Sequence, residues 1–466
     1  MSNNTRHPPS PEGHPVIGHA FHFGQNPFEF VDHATNEVGD LYCMELPGTD
    51  VYVLARPEYL KQALVTDIDA FGKTDDFDRV FGNGVLSTEG DQWSRQRGIL
   101  QPLFHPSQIS GYADDMVVAT QRRLSTWESG ETHDIESEMQ DLTIEILFAT
   151  LFGRDLAPGE GKELREASDG LNKWFVPTSW LMPHWVPTPS RRKFSESEER
   201  IRIEVRRLLA EYQYGSGDNS GEVTLDDTIQ KPDSGGGLDG SQNETLLSKL
   251  SEAGKATDED GLSAEEIEDQ MLTMIFAGYE TTASALAFAL YSLATEPDVR
   301  ESFYDEIGTV LSGDSPTLND IADLELTNRI ITETLRLYPP IHTIPRQTTR
   351  DVDVGRYCIP SDEQVHLSII SVHRDERYYD NPLEFRPNRW TDDFEEELDE
   401  YAFIPFGGGR RTCIAQEFAR LEATLALATI GQRFDLEWAG EETNITIEPE
   451  MTTKTQNGLP MTIRER

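Results

Sequence analysis

The chain has 466 residues, 40 of them lysine or arginine against 84 aspartate or glutamate, which leaves a net charge of −44. A surface of that sign repels nucleic acid and anionic membranes, so neither is an expected partner. The length allows two or three average domains, yet large enzymes with one core also reach it, and a single domain over 1–466 is expected.

Residues 8–19 are rich in proline and read as extended chain. A hairpin is predicted next, with Leu41 to Glu45, a turn at Pro47-Gly48, then Val51 to Ala55. Helical patterns dominate from Pro57 to about Ala210. Residues 214–243 crowd Gly, Ser, Asp and Asn together, including Ser234-Gly-Gly-Gly237. That composition predicts a flexible, acidic surface insertion rather than a domain boundary. Ser263-Ala-Glu-Glu266 is a capping box, and Pro297 ends the helix that it starts. The helix should hold about 32 residues and span roughly 48 Å. Its middle, Met271 to Leu293, is almost wholly apolar or small, so it should cross the core buried on most faces.

Inside that helix sits Ala277-Gly-Tyr-Glu280-Thr281-Thr282. A mid-helix glycine costs stability, and a buried acid is expensive, so the pair calls for a function. Ala277 and Gly278 leave room on one face for something flat. Thr281 can bond back to a carbonyl one turn earlier, and Glu280 can relay protons. Towards the C-terminus comes Phe406-Gly-Gly-Gly-Arg410-Arg411-Thr-Cys413-Ile-Ala415, just before an apolar helix. Arg410 and Arg411 are cations beside a sulfur, and cations favour thiolate. The helix N-terminus favours the same anion. Glycines such as Gly407 and Gly409 let the backbone approach a bulky planar group. A thiolate in such a loop, with arginines for carboxylates, suits an axial ligand of haem iron.

These residues resemble the cytochrome P-450 family, whose cysteine loop reads Phe-x-x-Gly-x-Arg-x-Cys-x-Gly. Here it is Phe406, Gly409, Arg411 and Cys413, with Ala415 in place of the last glycine. Further motifs follow the family's order: Trp93-x-x-x-Arg97, the acid–alcohol pair Glu280-Thr281, Glu333-x-x-Arg336, and Pro387-Asn-Arg389-Trp390. The resemblance implies a mainly α fold with a small β region (α+β) and a long central helix over haem b. It implies Cys413 as iron ligand, and Thr281 with Glu280 as proton-delivering residues. It places Trp93, Arg97, Arg346, Arg411, Phe406, Gly407, Ala415, Ala277 and Gly278 around the cofactor, with His105 as a further candidate neighbour. A Glu333–Arg336–Arg389 ion network would hold the cysteine loop, while His373 is expected to make a structural hydrogen bond. Substrate walls are expected from about Phe71 to Leu86, Leu171 to Trp185, Phe276 to Glu280, Ile341 to Ile344, and Gly458-Leu459. Trp174, Phe175, Trp180, Leu181, Met182 and Trp185 read either as a lid or as helix packing.

The implied reaction is monooxygenation, with one atom of O2 entering an apolar small molecule and the other leaving as water. No flavin or dinucleotide motif is present, so electrons are expected from a separate ferredoxin-type donor docking near Arg410. A peroxide-using haem-thiolate enzyme, a haem-thiolate isomerase or dehydratase, and a non-enzymatic haem sensor are the other readings. The acid–alcohol pair speaks against each. Cys43, Cys358 and Cys413 are too scattered for a disulfide framework. Met1 to Ser10 is polar, unlike a signal peptide, and no window has the roughly 18 apolar residues of a spanning helix. The expectation is a soluble, cytoplasmic monomer. Its acid excess runs along the whole chain, the pattern of salt-loving microbes, where salt screens self-repulsion. A halophilic archaeon is the expected source.

Overall fold

The computed structural model describes residues 7–156, 159–175, 186, 188–215, 245–255, 261–441, 445–448 and 450–466. The insertion predicted at 214–243 lies outside them, except for two residues that end a helix spanning Pro189–Gly215. The architecture is mainly helical, with small sheets at its edges.

Its axis is the predicted long helix, Ala264–Thr295. The capping box forms as expected: Glu266 N–H donates to Ser263 Oγ at 3.1 Å, and Ser263 N–H donates to Glu266 Oε2 at 2.9 Å. Pro297 opens the next helix, Pro297–Leu311. Between Met271 and Leu293 every residue is buried except Ala277, Gly278 and Thr281. Those three lie on one face, as spacings of one, three and four residues dictate, and they mark where the core is hollow. The helix Ile135–Leu147 packs across at this level, and Thr143 Oγ donates to the Tyr279 carbonyl at 2.9 Å. Gly278 is needed for that crossing, because a Cβ there would lie 2.9 Å from Leu147 Cδ1. Its missing side chain therefore serves helix packing, while its backbone borders the hollow.

The strands are β1 (Leu41–Leu46), β2 (Thr49–Leu54), β3 (Phe71–Gly72), β4 (Thr132–Asp134), β5 (Thr343–Thr348), β6 (Val352–Val354), β7 (Tyr357–Ile359), β8 (Gln364–Ser368), β9 (Phe434–Trp438) and β10 (Pro460–Glu465). β1 and β2 form the predicted hairpin, turning at Gly48 with φ 92. The largest sheet has the order β1-β2-β8-β5-β3. β2 runs parallel to β8, pairing Val51 with Gln364. This sheet carries Arg346 on β5 and packs its apolar face, including Leu54, Val365 and Leu367, against Tyr401 and Ile404 beside the cysteine loop. The sheet and the long helix thus approach one cavity from different sides.

Candidate active site

The cysteine loop is built by glycines and closed by one backbone bond. Gly407 and Gly409 have φ of 73 and 65, the left-handed region that side chains rarely adopt. A Cβ on Gly409 would also fall 2.4 Å from the Leu64 carbonyl oxygen. The Cys413 N–H then donates to the Phe406 carbonyl at 2.9 Å, and the helix Gln416–Arg433 begins three residues later. Cys413 exposes surface, yet burial pushes its thiol pKa up, because that surface faces an internal cavity rather than bulk water. A backbone hydrogen bond from Ala415 and the Arg97 cation oppose the rise. The expected cations are placed differently. Arg410 points outward to Asp69 at 3.3 Å. Arg411 donates to the Thr88 carbonyl at 3.0 Å and lies 4.8 Å over the Trp93 ring.

The cavity has a volume of about 310 Å³, within the range of small-molecule sites. Cys413, Phe406, Gly407 and Ala415 form one wall, and Ala277, Gly278, Thr281 and Thr282 form another. Thr281 Oγ donates to the Ala277 carbonyl at 3.0 Å, one turn back, as its position allowed. The flanks are apolar and include Phe77, Val85, Leu86, Leu147 and Met274. A larger cleft of about 480 Å³, lined by Glu376–Asp380, Arg386, Asn388, Arg389 and Phe394, is open to solvent and contains no cysteine.

Five cations border the cavity: Lys73, Arg97, Arg346, Arg411 and Arg420, the last lying 5.1 Å over the Phe406 ring. Arg97 donates to the Thr412 carbonyl at 2.9 Å, so it grips the cysteine loop itself, and stacks over Trp93 at 5.8 Å. Arg346 is 4 % exposed, and among the described residues its guanidinium donates only to its neighbour's carbonyl, Pro345, at 2.8 Å. Burial, then the Arg411 charge, lowers its pKa to about 10. Burial and the two arginines also push Lys73 well below its ordinary value. Among the described residues no carboxylate lies within 4.0 Å of the side-chain nitrogens of Lys73, Arg97 or Arg346, although the Lys73 backbone N–H donates to Glu89 at 3.2 Å, and Arg411 has only Glu89 at 3.9 Å. Buried cations without counter-ions are costly. An anionic group bound here would relieve that cost. A flat, apolar cofactor with carboxylates at one edge fits the donor set, the apolar flanks and the thiol together.

Glu280 does not border this cavity. It is 1 % exposed, and its Oε1 accepts from Asn172 Nδ2 at 2.6 Å and from Lys454 Nζ at 2.6 Å. Among the described residues Oε2 has no hydrogen-bond partner, and burial raises the carboxyl pKa despite the lysine. Lys454 also contacts Asp169 at 3.0 Å, which receives the Tyr279 hydroxyl at 3.3 Å and is 32 % exposed. A polar chain thus runs from beside Thr281 to the surface.

Behind the cysteine loop, Glu333 and Arg336 are both 0 % exposed and joined at 2.8 and 2.9 Å. Glu333 also accepts from Arg389 at 3.0 Å, Arg386 N–H at 2.9 Å and Trp390 Nε1 at 2.9 Å. Arg336 donates to the His373 carbonyl at 2.9 Å, and His373 Nε2 accepts from Ile404 N–H at 2.9 Å. Two bonds therefore separate the ion network from the loop. His105 caps the helix Pro106–Ile109 through Ser107 and does not border the cavity.

The walls differ from expectation in two places. Leu171, Trp174 and Phe175 do not reach the cavity; Trp174 packs on Phe194 at 5.0 Å and Phe175 on Phe77 at 6.0 Å. The rest of that cluster, Trp180, Leu181, Met182 and Trp185, lies outside the described residues. Met451 and Thr452 border the cavity where Gly458-Leu459 was expected, because Leu459 N–H is tied to Asp134 at 2.9 Å. Sequence reasoning missed Lys73, Asp169, Asn172 and Lys454. A lysine between Gly72 and Thr74 was the one local signal, in a chain otherwise crowded with acids.

The chain belongs to the Cytochrome P450 family, which it matches over residues 8–461. It is therefore a haem b enzyme and a monooxygenase, as its relatives are. It is 32% identical over 450 residues to pentalenene oxygenase of Streptomyces avermitilis, covering 95% of this chain and 92% of that one. It is 30% identical over 433 residues to cyclooctat-9-en-7-ol 5-monooxygenase of Streptomyces melanosporofaciens, covering 92% and 89%. The solved haem domain of cytochrome P450DA superposes with a TM-score of 0.82 at 26% identity, over 99% of this chain and 98% of that one. No helix among the described residues is long and apolar enough to cross a membrane.

Proposed function

We propose that Cys413 is the thiolate ligand of the haem iron, and that Lys73, Arg97, Arg346 and Arg411, with Trp93, hold the propionates. Phe406, Gly407 and Ala415 border the cofactor on the sulfur side, and Ala277, Gly278 and Thr281 on the other. The observation that carries this reading is a single cavity with a thiol on one wall, a hydroxyl on the opposite wall and, between them, cations of which only Arg411 has a carboxylate within 4.0 Å among the described residues. When bound, haem supplies the redox chemistry that activates dioxygen. The protein's own part is proton supply. Thr281 turns its hydroxyl from the Ala277 carbonyl towards the cavity. Glu280, whose carboxyl burial keeps protonated more readily than usual, passes protons to it. Asp169 and Lys454 connect Glu280 with solvent.

The apolar flanks favour an apolar substrate. Pentalenene, named for a relative, is the first compound to try. Electrons come from a separate ferredoxin-type protein meeting the face near Arg410. The protein works as a cytoplasmic monomer of one domain, with 214–243 as a surface insertion. A halophilic archaeal source accounts for its charge of −44. Melting temperature should then rise steeply with salt, and a salt-insensitive melt would remove that part of the reading.

The decisive measurement is the reduced carbon monoxide spectrum. The Soret band of thiolate-ligated ferrous haem is expected, and Cys413→Ser should abolish it. A variant that kept the band would overturn the ligand assignment.

A further inference from the structure

Part of the cavity roof is the helix Asp75–Phe81 and the loop after it, which supply Phe77, Val85 and Leu86 to the lining. This segment is fastened at its two ends to different elements. At the loop end, the buried Asp269 carboxylate of the long helix accepts from Asn83 N–H at 2.7 Å, and Gln270 Oε1 accepts from Val85 N–H at 3.0 Å. Gly82 makes that approach possible: its φ is +52, and a Cβ there would sit 2.4 Å from Asp269 Oδ2. At the helix end, Arg79 donates to Glu198 at 3.1 and 3.3 Å, and its guanidinium lies 4.7 Å from the Phe194 ring and 5.5 Å from that of Trp174.

The two fastenings are joined. Glu198 and Arg202 stand one turn apart on the helix Pro189–Gly215, 3.5 Å from each other, and Arg202 reaches Asp269 at 2.8 Å. Four alternating charges thus run Arg79, Glu198, Arg202, Asp269, from the roof through an outer helix to the long helix. They are not equally protected. The Arg79 side chain is 43% exposed, Arg202 23% and Asp269 2%. Salt screens the outer link and leaves the inner one nearly untouched.

The geometry points to this series as a clasp that governs passage through the roof. Asp269 and Arg202 are positioning residues that fix the loop end. Arg79–Glu198 is the link that parts, letting the helix Asp75–Phe81 lift about Gly82–Val85 and carry Phe77 away from the cavity. That the cavity admits substrate rests on the reading above; the opening of the clasp does not.

Two readouts test it. Hydrogen exchange needs no haem: Arg79→Gln should speed exchange of the amides in 77–81 and spare Asn83 and Val85, whereas Arg202→Met should speed both groups. In the haem-loaded protein, stopped-flow binding of 4-phenylimidazole, read by its Soret shift, reports passage. Arg79→Gln should raise both entry and exit rates about fivefold, as expected for loss of one exposed ion pair. The equilibrium constant should then barely move. Raising salt should speed passage in the parent and not in Arg79→Gln. Exchange and rates equal to the parent's in Arg79→Gln would overturn the clasp. If Arg202→Met does not fold, Arg79→Gln, altered at an exposed side chain, still decides. A protein without a Soret band would sink the haem reading, while the exchange result would still judge the clasp.

Discussion

Two buried ion networks flank the cavity, and they are finished to different degrees. Behind Cys413, both Glu333 oxygens and all three Arg336 nitrogens have partners, with neither residue exposed. Behind Thr281, Glu280 keeps one oxygen without a partner among the described residues, and its network ends at Asp169, 32% exposed. A saturated buried network is rigid, because every movement breaks a bond that water cannot replace. An unsaturated one that reaches solvent leaves its groups free to change partners, which proton transfer requires. The contrast separates holding the cofactor from serving its chemistry.

The sharpest way to break the comparison is Glu333→Gln. It leaves Arg336 and Arg389 facing a neutral amide in the dry interior, at a cost of about 3–5 kcal/mol. Urea unfolding should show the loss, and the thiolate Soret band should weaken with it. A variant as stable as the parent would mean that the brace is not a brace. Glu280→Gln is next. Turnover should fall roughly 10²-fold, the size of a general acid's contribution, while unfolding stability falls by less than in Glu333→Gln, because Lys454 keeps Asp169 at 3.0 Å. If stability collapsed while coupling of reductant to product persisted, the two networks would be the same kind of object.

The smallest effect concerns pH, where the two sides have opposite signs. Burial holds His373, beside the brace, at about 3, and His342 at about 4. Their unfolded value is about 6.5, so below it the unfolded chain binds more protons and stability falls as pH drops, by up to about 1.4 kcal/mol per unit for each histidine. Glu136, raised to about 7 by burial, and Glu280, also raised, work the other way. The comparison with His373→Gln isolates the brace. The variant should lose less stability than the parent between pH 6.5 and 5, and equal losses would exclude the histidine.

What the sequence disclosed was local. Cys413 with its glycines, the capping box at Ser263, and Glu333 with Arg336 are each patterns within a few residues, where spacing alone fixes geometry. The partners that complete them come from afar. Lys454 reaches Glu280, Arg97 takes the carbonyl beside Cys413, and Asp269 meets Asn83, and no periodicity signals such pairs. The same limit explains Arg410. Proximity in sequence placed it beside the sulfur, but the left-handed turn at Gly409 sends it outward to Asp69. Gly278 was read as space for a cofactor, and its immediate neighbour proved to be Leu147.

The parallel pairing of β2 with β8 has a consequence for how the molecule is made. Val51 must wait for Gln364, and at 5–20 residues per second of synthesis that wait lasts roughly 15–60 s. Through it the hairpin offers an unpaired edge, the kind of template on which nascent chains stick together. Cys413 emerges later still, so the cofactor meets a chain whose distal half is already present. A polypeptide so dense in like charge repels its copies during that interval. The acidity that suits the finished surface also guards the unfinished one.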